Sequence, residues 1–585
     1  MRPLIRSLAL MAALTVAASL TPAAMPIPAM AKAAKAASTS AAEKARVDKV
    51  PTPKLAWYTC YSDYKCTTVK LPLDYDDPKG AQVEVALLKV PAGDRKHRIG
   101  TLFLNPGGPG GSGTDLAYYA PNFLGSDVLD RFDVVGFDPR GVGFSDNVTC
   151  FANNAQNEAV LGTINSTPFP DTAAEQRAFV KAYDSHAKAC SSTSARLSGS
   201  VSTAEVARDM DVMRRAVGDK KLTYLGFSYG SYLGQVYANM FPDRVRALAI
   251  VGVLDPRAWA GTEATAATPM GDRVRSADGA LKALNEILLR CDLAGGESCE
   301  FAPGDPVKNW KLIGDRLRAK PLKFDGEPYG YPEFSGEALS ALYYEDGAGY
   351  IAELGADLIV LTEPPAKRNA AAAQRAAKRS ATASLRKLRT KLARLANPDS
   401  PLHGSKLGRA NVGFPYDNSL DAFQTIACTD SLDAPNLARM PALAAAADAR
   451  APYFGALWAW NMGSCASPSW TVDDEDAYRG PFTRRTAAPV LIVGNYWDPA
   501  TNYAGAVAAS KLLPNSRLLS SDSWGHTAYG TSNCVNAAVD RYLVKRTLPK
   551  KGKVCTGDVE PYDGAGTEEF SLQRRIHGPN RPGRP

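Results

Sequence analysis

The 585-residue chain predicts an α/β fold, a doubly wound and mostly parallel sheet with a large, mainly helical cap domain inserted. Three observations lead there. Short, mostly apolar runs at Phe132–Phe137, Leu222–Leu225, Ala247–Val253 and Val490–Val493 read as parallel strands covered on both faces. Helical stretches separate them, and Ala204–Val217 has apolar residues at helical spacing before a stop at Gly218. Between Asp255-Pro256 and Pro489 lies an insertion far too long for a loop. Gln82–Val90 alternates polar with apolar residues and reads as an outer strand. The expected domains are 51–255 and 486–556 for the two parts of the sheet and 256–485 for the cap, with 557–585, rich in Gly, Pro and Arg, as a flexible tail.

With 45% hydrophobic and 22% charged residues, the chain can bury a sizeable core. Met1–Arg6 is basic, Ser7–Leu20 is apolar and Ala29-Met30-Ala31 fits a small-residue cleavage site, so 1–31 reads as a signal peptide. Residues 32–50 lack apolar periodicity and read as a disordered arm or removable pro-segment. No later run approaches about twenty apolar residues, so no membrane anchor is expected. A secreted monomer is the expectation. In an exported chain the ten cysteines imply disulfides. Pairing in sequence order is expected: Cys60 with Cys66, Cys150 with Cys190, Cys291 with Cys299, Cys428 with Cys465 and Cys534 with Cys555.

The net charge of +8 has a local source. Lys367, Arg368, Arg375, Lys378, Arg379, Arg386, Lys387, Arg389, Lys391 and Arg394 fall in an Ala-rich stretch with no acid between Glu363 and Asp399, read as a solvated helix pair in the cap. Neither aromatic residues nor a known nucleic-acid fold accompanies the charge, so no nucleic-acid partner is expected. The acidic run Asp473-Asp474-Glu475-Asp476 reads as a solvated turn.

Chemistry concentrates at Gly226-Phe227-Ser228-Tyr229-Gly230, which follows the strand-like Lys221–Leu225 and precedes the helix-compatible Ser231–Met240. In that setting G-x-S-x-G puts a serine on a tight turn with its hydroxyl clear of the backbone. Ser228 is the candidate nucleophile. A neutral hydroxyl needs a base, and the base needs a partner to fix its tautomer. Of five histidines, His526 alone lies at a strand-end loop with a glycine beside it, in Ser523-Trp524-Gly525-His526 after Ser516–Ser520. Asp498 likewise ends the strand pattern Pro489–Gly494. Ser228, Asp498 and His526 occur in the chain order of α/β-hydrolases. Asn105-Pro106-Gly107-Gly108-Pro109-Gly110-Gly111-Ser112-Gly113 can aim bare amides at developing negative charge. By the same pattern, Tyr229 and Gly108 supply the oxyanion hole. The loop lacks the lysine of a phosphate-binding loop. This chemistry calls for no metal or organic cofactor.

Together, Pro106–Gly110, Asp138-Pro139-Arg140-Gly141-Val142-Gly143-Phe144-Ser145, the elbow with Tyr232-Leu233-Gly234, and Asp498-Pro499-Ala500-Thr501 resemble the prolyl-aminopeptidase and tripeptidyl-aminopeptidase branch of serine α/β-hydrolases. Val69-Lys70-Leu71-Pro72-Leu73-Asp74-Tyr75 is similar to the secreted tripeptidyl-aminopeptidase subgroup of actinobacteria. The resemblance runs from about Cys60 to Cys555, with a variable middle. Pro106 stands where many relatives carry histidine, and Val251-Gly252 where Asp-Gly is common.

The resemblance implies a secreted serine exopeptidase releasing short peptides, most simply tripeptides, from free N-termini of peptides or unfolded proteins. A cap over the strand ends would admit chain ends and exclude folded chains. It would also have to offer a carboxylate to the substrate ammonium, since an unpaired buried charge costs several kcal/mol. Glu345, Asp346 and Asp430 are the candidates, each of which could equally be a surface acid or helix cap. The alternatives are a prolyl aminopeptidase or carboxylesterase on the same triad, and a non-catalytic secreted peptide-binding protein.

Overall fold

The computed structural model describes residues 35–61, 63–366, 370–396 and 416–563. The expected signal peptide, Lys367 and Arg368, and most of the expected tail lie outside them. At the centre is a ten-stranded sheet in the order β1-β2-β3-β5-β4-β6-β7-β10-β11-β12. Its first five members in sequence are β1 Tyr58–Cys60, β2 Tyr64–Pro72, β3 Gln82–Val90, β4 Gly100–Asn105 and β5 Phe132–Phe137. The rest are β6 Leu222–Phe227, β7 Val245–Val251, β10 Val490–Trp497, β11 Ser516–Trp524 and β12 Val554–Thr556. A separate hairpin, β8 Leu322–Phe324 with β9 Glu327–Tyr329, belongs to the inserted segment.

From β5 to β12 every pairing is parallel; β1, β2 and β3 join antiparallel, and β3 pairs antiparallel with β5. All side chains of β4 and β6 are buried, as continuous apolar runs between two helical layers require. The strand β3 is not an outer one: β2 pairs along its whole length and β5 covers its other side. Its alternation reflects local exposure at Gln82, Glu84 and Lys89, and the edge is formed by β1.

The arm at 36–50 is folded. Helix Ala41–Val47 is capped by Ser40, and Val47 and Val50 are buried. Polar bonds replace the missing periodicity: Glu43 binds Arg208 at 2.9 Å, Arg46 binds Asp76 and Asp476 at 2.6 Å each, and Arg244 reaches Asp48 at 2.8 Å. The acidic run is a turn that is solvated only in part: Asp473 and Glu475 are exposed, whereas Asp474 is 2% exposed and Asp476 also meets Arg208 at 3.2 Å. The basic stretch forms one helix, Ala371–Ala396, since nothing within it breaks a helix. Leu385 and Leu388 bury one face, and Arg386 and Arg389 pair with Asp325 and Glu337.

The helical layer over the sheet draws on more than 256–485. Helix Ala173–Thr193, between β5 and β6, stacks Tyr183 on Trp460 with centroids 6.3 Å apart and buries His186 against Asp421. The five disulfides join Cys60–Cys66, Cys150–Cys190, Cys291–Cys299, Cys428–Cys465 and Cys534–Cys555. Among the described residues no helix is long and apolar enough to cross a membrane.

Candidate active site

Strand register gathers the candidate residues. Asn105 at the end of β4 lies opposite Gly226, Phe227 opposite Val251, and Val251 opposite Val493, so β4, β6 and β7 end at nearly one level and β10 runs four residues further, to Trp497. Just past those ends come the glycine loop, Ser228, Gly252 and Asp498. Ser228 has φ 54° and ψ −124°, a conformation that costs about 1–3 kcal/mol for a non-glycine residue and persists only where the surroundings fix it. They do so here. The Ser228 amide donates to Val251 O at 2.9 Å, and Tyr224 Oη donates to Gly230 O at 2.8 Å. A Cβ on Gly226 would meet Gly230 O at 2.4 Å, and one on Gly230 would meet Asn105 O at 2.8 Å, which is why both flanks of the serine are glycine. Ser228 itself remains partly exposed.

The glycine loop lies directly against this elbow. Gly107 has φ 98°, and a Cβ there would stand 2.8 Å from Ser228 Cβ and 2.9 Å from Tyr229 N. The Gly107 amide is engaged by Asn105 Oδ1 at 3.0 Å, and that of Gly111 by Gly107 O at 3.0 Å. Pro109 has no N–H, and the Gly108 amide, next to Gly107, is used by neither of these bonds.

Asp498 and His526 are paired and buried, at 1% and 2% exposure. His526 Nδ1 lies 2.8 Å from Asp498 Oδ1 and 3.0 Å from Oδ2. The carboxylate also accepts from the amides of Ala500 (2.9 Å), Thr501 (2.7 Å) and Thr527 (2.9 Å) and from Thr501 Oγ1 (2.7 Å). Burial opposes the charge, but the His526 imidazole and these donors outweigh it and hold the pKa below the ordinary carboxylate value. The imidazole lies at the end of β7, the strand beside the elbow's: a Cβ on Gly252 would be 3.4 Å from His526 Cε1. Such a pair can fix the tautomer of a general base and stabilise its cation.

Residues 100–281 match a family model described as alpha/beta hydrolase fold. With the sheet order and the elbow this is decisive. The chain has the α/β-hydrolase fold. Residues 451–555 match a second model, described as TAP-like protein. The hydrolase is 28% identical over 545 residues to the tripeptidyl aminopeptidase of Streptomyces lividans, covering 90% of each chain. To serine protease Hip1 of Mycobacterium tuberculosis it is 28% identical over 517 residues, covering 84% of this chain and 87% of that protein. To carboxylesterase B of the same organism it is 29% identical over 537 residues, covering 86% and 91%.

In this α/β-hydrolase the inserted segment presses on the histidine. The His526 amide donates to Tyr343 O at 3.0 Å, and the Tyr343 ring packs edge-on against the imidazole at 5.2 Å. Glu345 and Asp346 follow two and three residues later, both partly buried. Asp430 lies elsewhere. Its carboxylate is 2% exposed and filled, with Oδ1 accepting from Thr203 N (2.7 Å) and Oδ2 from Thr203 Oγ1 (2.6 Å) and Trp259 Nε1 (3.1 Å). Burial pushes its pKa up to about 7 against the opposing Thr203 bonds. At 2% exposure, with both oxygens bonded inside the protein, Asp430 is sealed from a substrate ammonium and is corrected to an internal brace.

Several site residues carry sequence signals that went unread. Thr501, in the Asp498-Pro499-Ala500-Thr501 motif, grips the carboxylate, and Arg140, in Asp138-Pro139-Arg140-Gly141, is a fully buried anchor bound to Asp209 at 2.6 Å and Glu205 at 3.1 Å. His186 is fully buried between Ser464 Oγ (2.9 Å from Nδ1) and Asp421 Oδ1 (2.9 Å from Nε2), with no local pattern to announce it. With Cys150, Cys190 and Asp421 it forms a cluster of metal-type ligands, but both cysteines are tied in a disulfide.

Proposed function

We propose that the protein is a secreted serine exopeptidase that cleaves short peptides, most simply tripeptides, from free N-termini. It is an enzyme of the serine-peptidase class. The observation that supports this most is the Asp498–His526 pair, 2.8 Å apart, at the strand ends beside the strained Ser228 and beneath Tyr343.

In this reading Ser228 Oγ attacks the scissile carbonyl as His526 takes its proton, and Asp498 holds the ring by Nδ1. The amides of Tyr229 and Gly108 receive the oxyanion, which they stabilise more than the ground-state carbonyl because they are fixed before charge develops. His526 then protonates the leaving amine, and water releases the acyl group by the reverse steps. Glu345 is the preferred partner for the substrate ammonium: it is half-buried and two residues from the carbonyl that holds His526, and Asp346 adjoins it. The five disulfides suit an oxidising, extracellular location.

The test is a panel of aminoacyl, prolyl, dipeptidyl and tripeptidyl chromogenic amides with one short-chain ester, run on the parent and on Ser228→Ala. Tripeptide release lost in the variant is the expected result; turnover of the ester alone would make the protein an esterase.

A further inference from the structure

One helix of the inserted segment, Ser419–Asp430, touches both sides of the presumed oxyanion hole. Near its N-terminus it lies on the glycine loop: a Cβ on Gly110 would stand 3.5 Å from Ala422 Cβ, 3.5 Å from Phe423 N and 3.6 Å from Ser419 O. Its last residue, Asp430, reaches the other side. The carboxylate caps the N-terminus of helix Thr203–Ala216 through Thr203 N and takes the Thr203 hydroxyl at 2.6 Å. That hydroxyl is also bonded to the phenol of Tyr229.

A threonine hydroxyl has one proton. Given to the carboxylate, it leaves Thr203 Oγ1 to accept, so the phenol must donate, and a single direction runs Tyr229 to Thr203 to Asp430. Trp259 fixes the same assembly from a third side, donating to Asp430 Oδ2 at 3.1 Å while its ring lies 5.4 Å from that of Tyr229. The side chain next to the strained serine is thus held by a carboxylate that belongs to the insertion.

We propose that Asp430 is a positioning residue: through Thr203 it locks Tyr229, and with the Gly110 contact at the other end of its helix it sets the spacing of the two amides that receive the oxyanion. This rests on the serine-hydrolase reading above. An asparagine at 430 turns one acceptor into a donor. An amide nitrogen at the Oδ2 position turns the Thr203 hydroxyl toward Tyr229 and opposes the Trp259 N–H, and one at the Oδ1 position opposes the Thr203 N–H and pushes Thr203 off the carboxyl group. Either way the hold on Tyr229 is disturbed, and a mispositioned donor costs part of the 10²–10³-fold that loss of a whole oxyanion donor costs.

The experiment measures kcat and KM on the short-chain ester and the tripeptidyl amide for Asp430→Asn, Thr203→Val, Thr203→Ser, Tyr229→Phe and the double variant Asp430→Asn/Tyr229→Phe, with melting curves to show that each is folded. Expected are a fall in kcat of about tenfold for Asp430→Asn and Thr203→Val on both substrates, with KM within about twofold. Thr203→Ser should keep most of the parent rate, and the double variant should be no slower than the slower single. Parent-like kcat in folded Asp430→Asn, or in folded Thr203→Val should Asp430→Asn fail to fold, overturns the proposal, as does a double variant in which the losses multiply. A change confined to KM for the amide would instead make Asp430 a substrate contact and overturn it too. If Ser228→Ala retains turnover, the serine-hydrolase reading fails first and separately.

Discussion

At the strand ends, Asp498 holds Nδ1 of His526 beside Ser228; between helix Ala173–Thr193 and the inserted segment, Asp421 holds Nε2 of His186 while Ser464 takes Nδ1. The residue types are the same, and the surroundings are opposite. Ser228 sits at positive φ, partly exposed, with glycines cleared from both flanks. Ser464 lies in a short 3-10 turn, fully buried next to the Cys428–Cys465 disulfide, and both nitrogens of its histidine are engaged. Asp421 further accepts from Cys150 N at 2.9 Å and Tyr416 Oη at 2.6 Å. A histidine and an aspartate in contact therefore suit a reactive group only where a serine is presented at a strand end and a substrate can arrive; elsewhere the same residue types make a polar core that joins two segments.

The contrast can be broken most sharply at the serines. Ser228→Ala should lower kcat about a millionfold, whereas Ser464→Ala should leave turnover within about twofold and lower stability by ~1–3 kcal/mol; initial rates and denaturant melts decide. The aspartates come next. Asp498→Asn should cost about ten-thousandfold in kcat by favouring the wrong imidazole tautomer, while Asp421→Asn should act on stability alone, by about 3 kcal/mol. A smaller effect separates binding from chemistry: Glu345→Gln should reduce kcat/KM on free-amine tripeptidyl amides about 10- to 100-fold, the worth of a charged hydrogen bond, and affect the ester far less. Equal loss on both substrates would remove Glu345 from the role.

The smallest effect concerns a half-buried acid that belongs to neither set. Burial raises the pKa of Asp540 to about 6, against the bond from Tyr529. A carboxyl whose folded pKa is raised holds its proton more tightly when folded, so its contribution favours the fold below the unfolded value and is lost as pH climbs from about 4 to about 6. Asp540→Asn should therefore gain in melting temperature relative to the parent more at pH 8 than at pH 5.

Which of these residues could be read beforehand follows from how each is positioned. Ser228, Asp498 and His526 each follow a strand with a marked apolar run, and parallel register does the rest, so order along the chain already implied nearness. The glycine loop was legible for the same reason. His186, Asp421 and Ser464 meet only because helices pack across the insertion, and no periodicity in one segment encodes its partner in another. Asp430 had the right charge in the right segment, but its direction depends on how helix Ser419–Asp430 lands on Thr203. The arm at 36–50 is ordered, against the disordered alternative, because ion pairs, not apolar spacing, hold it, and the burial of Asp474 and half-burial of Asp476 were not legible because their run's cationic partners, Arg46 and Arg208, are remote in sequence.

That arm reverses the usual logic of an N-terminal extension. Arg208 is 1% exposed at its side chain and shares Glu43, Glu205 and Asp476 as counter-ions. Trimming the chain past Val47 would strip one of these anions from a sealed guanidinium and open the apolar seat of Val47 to water. Proteolytic nibbling from this end would thus loosen the scaffold, and any fusion partner is best attached upstream of Ala36.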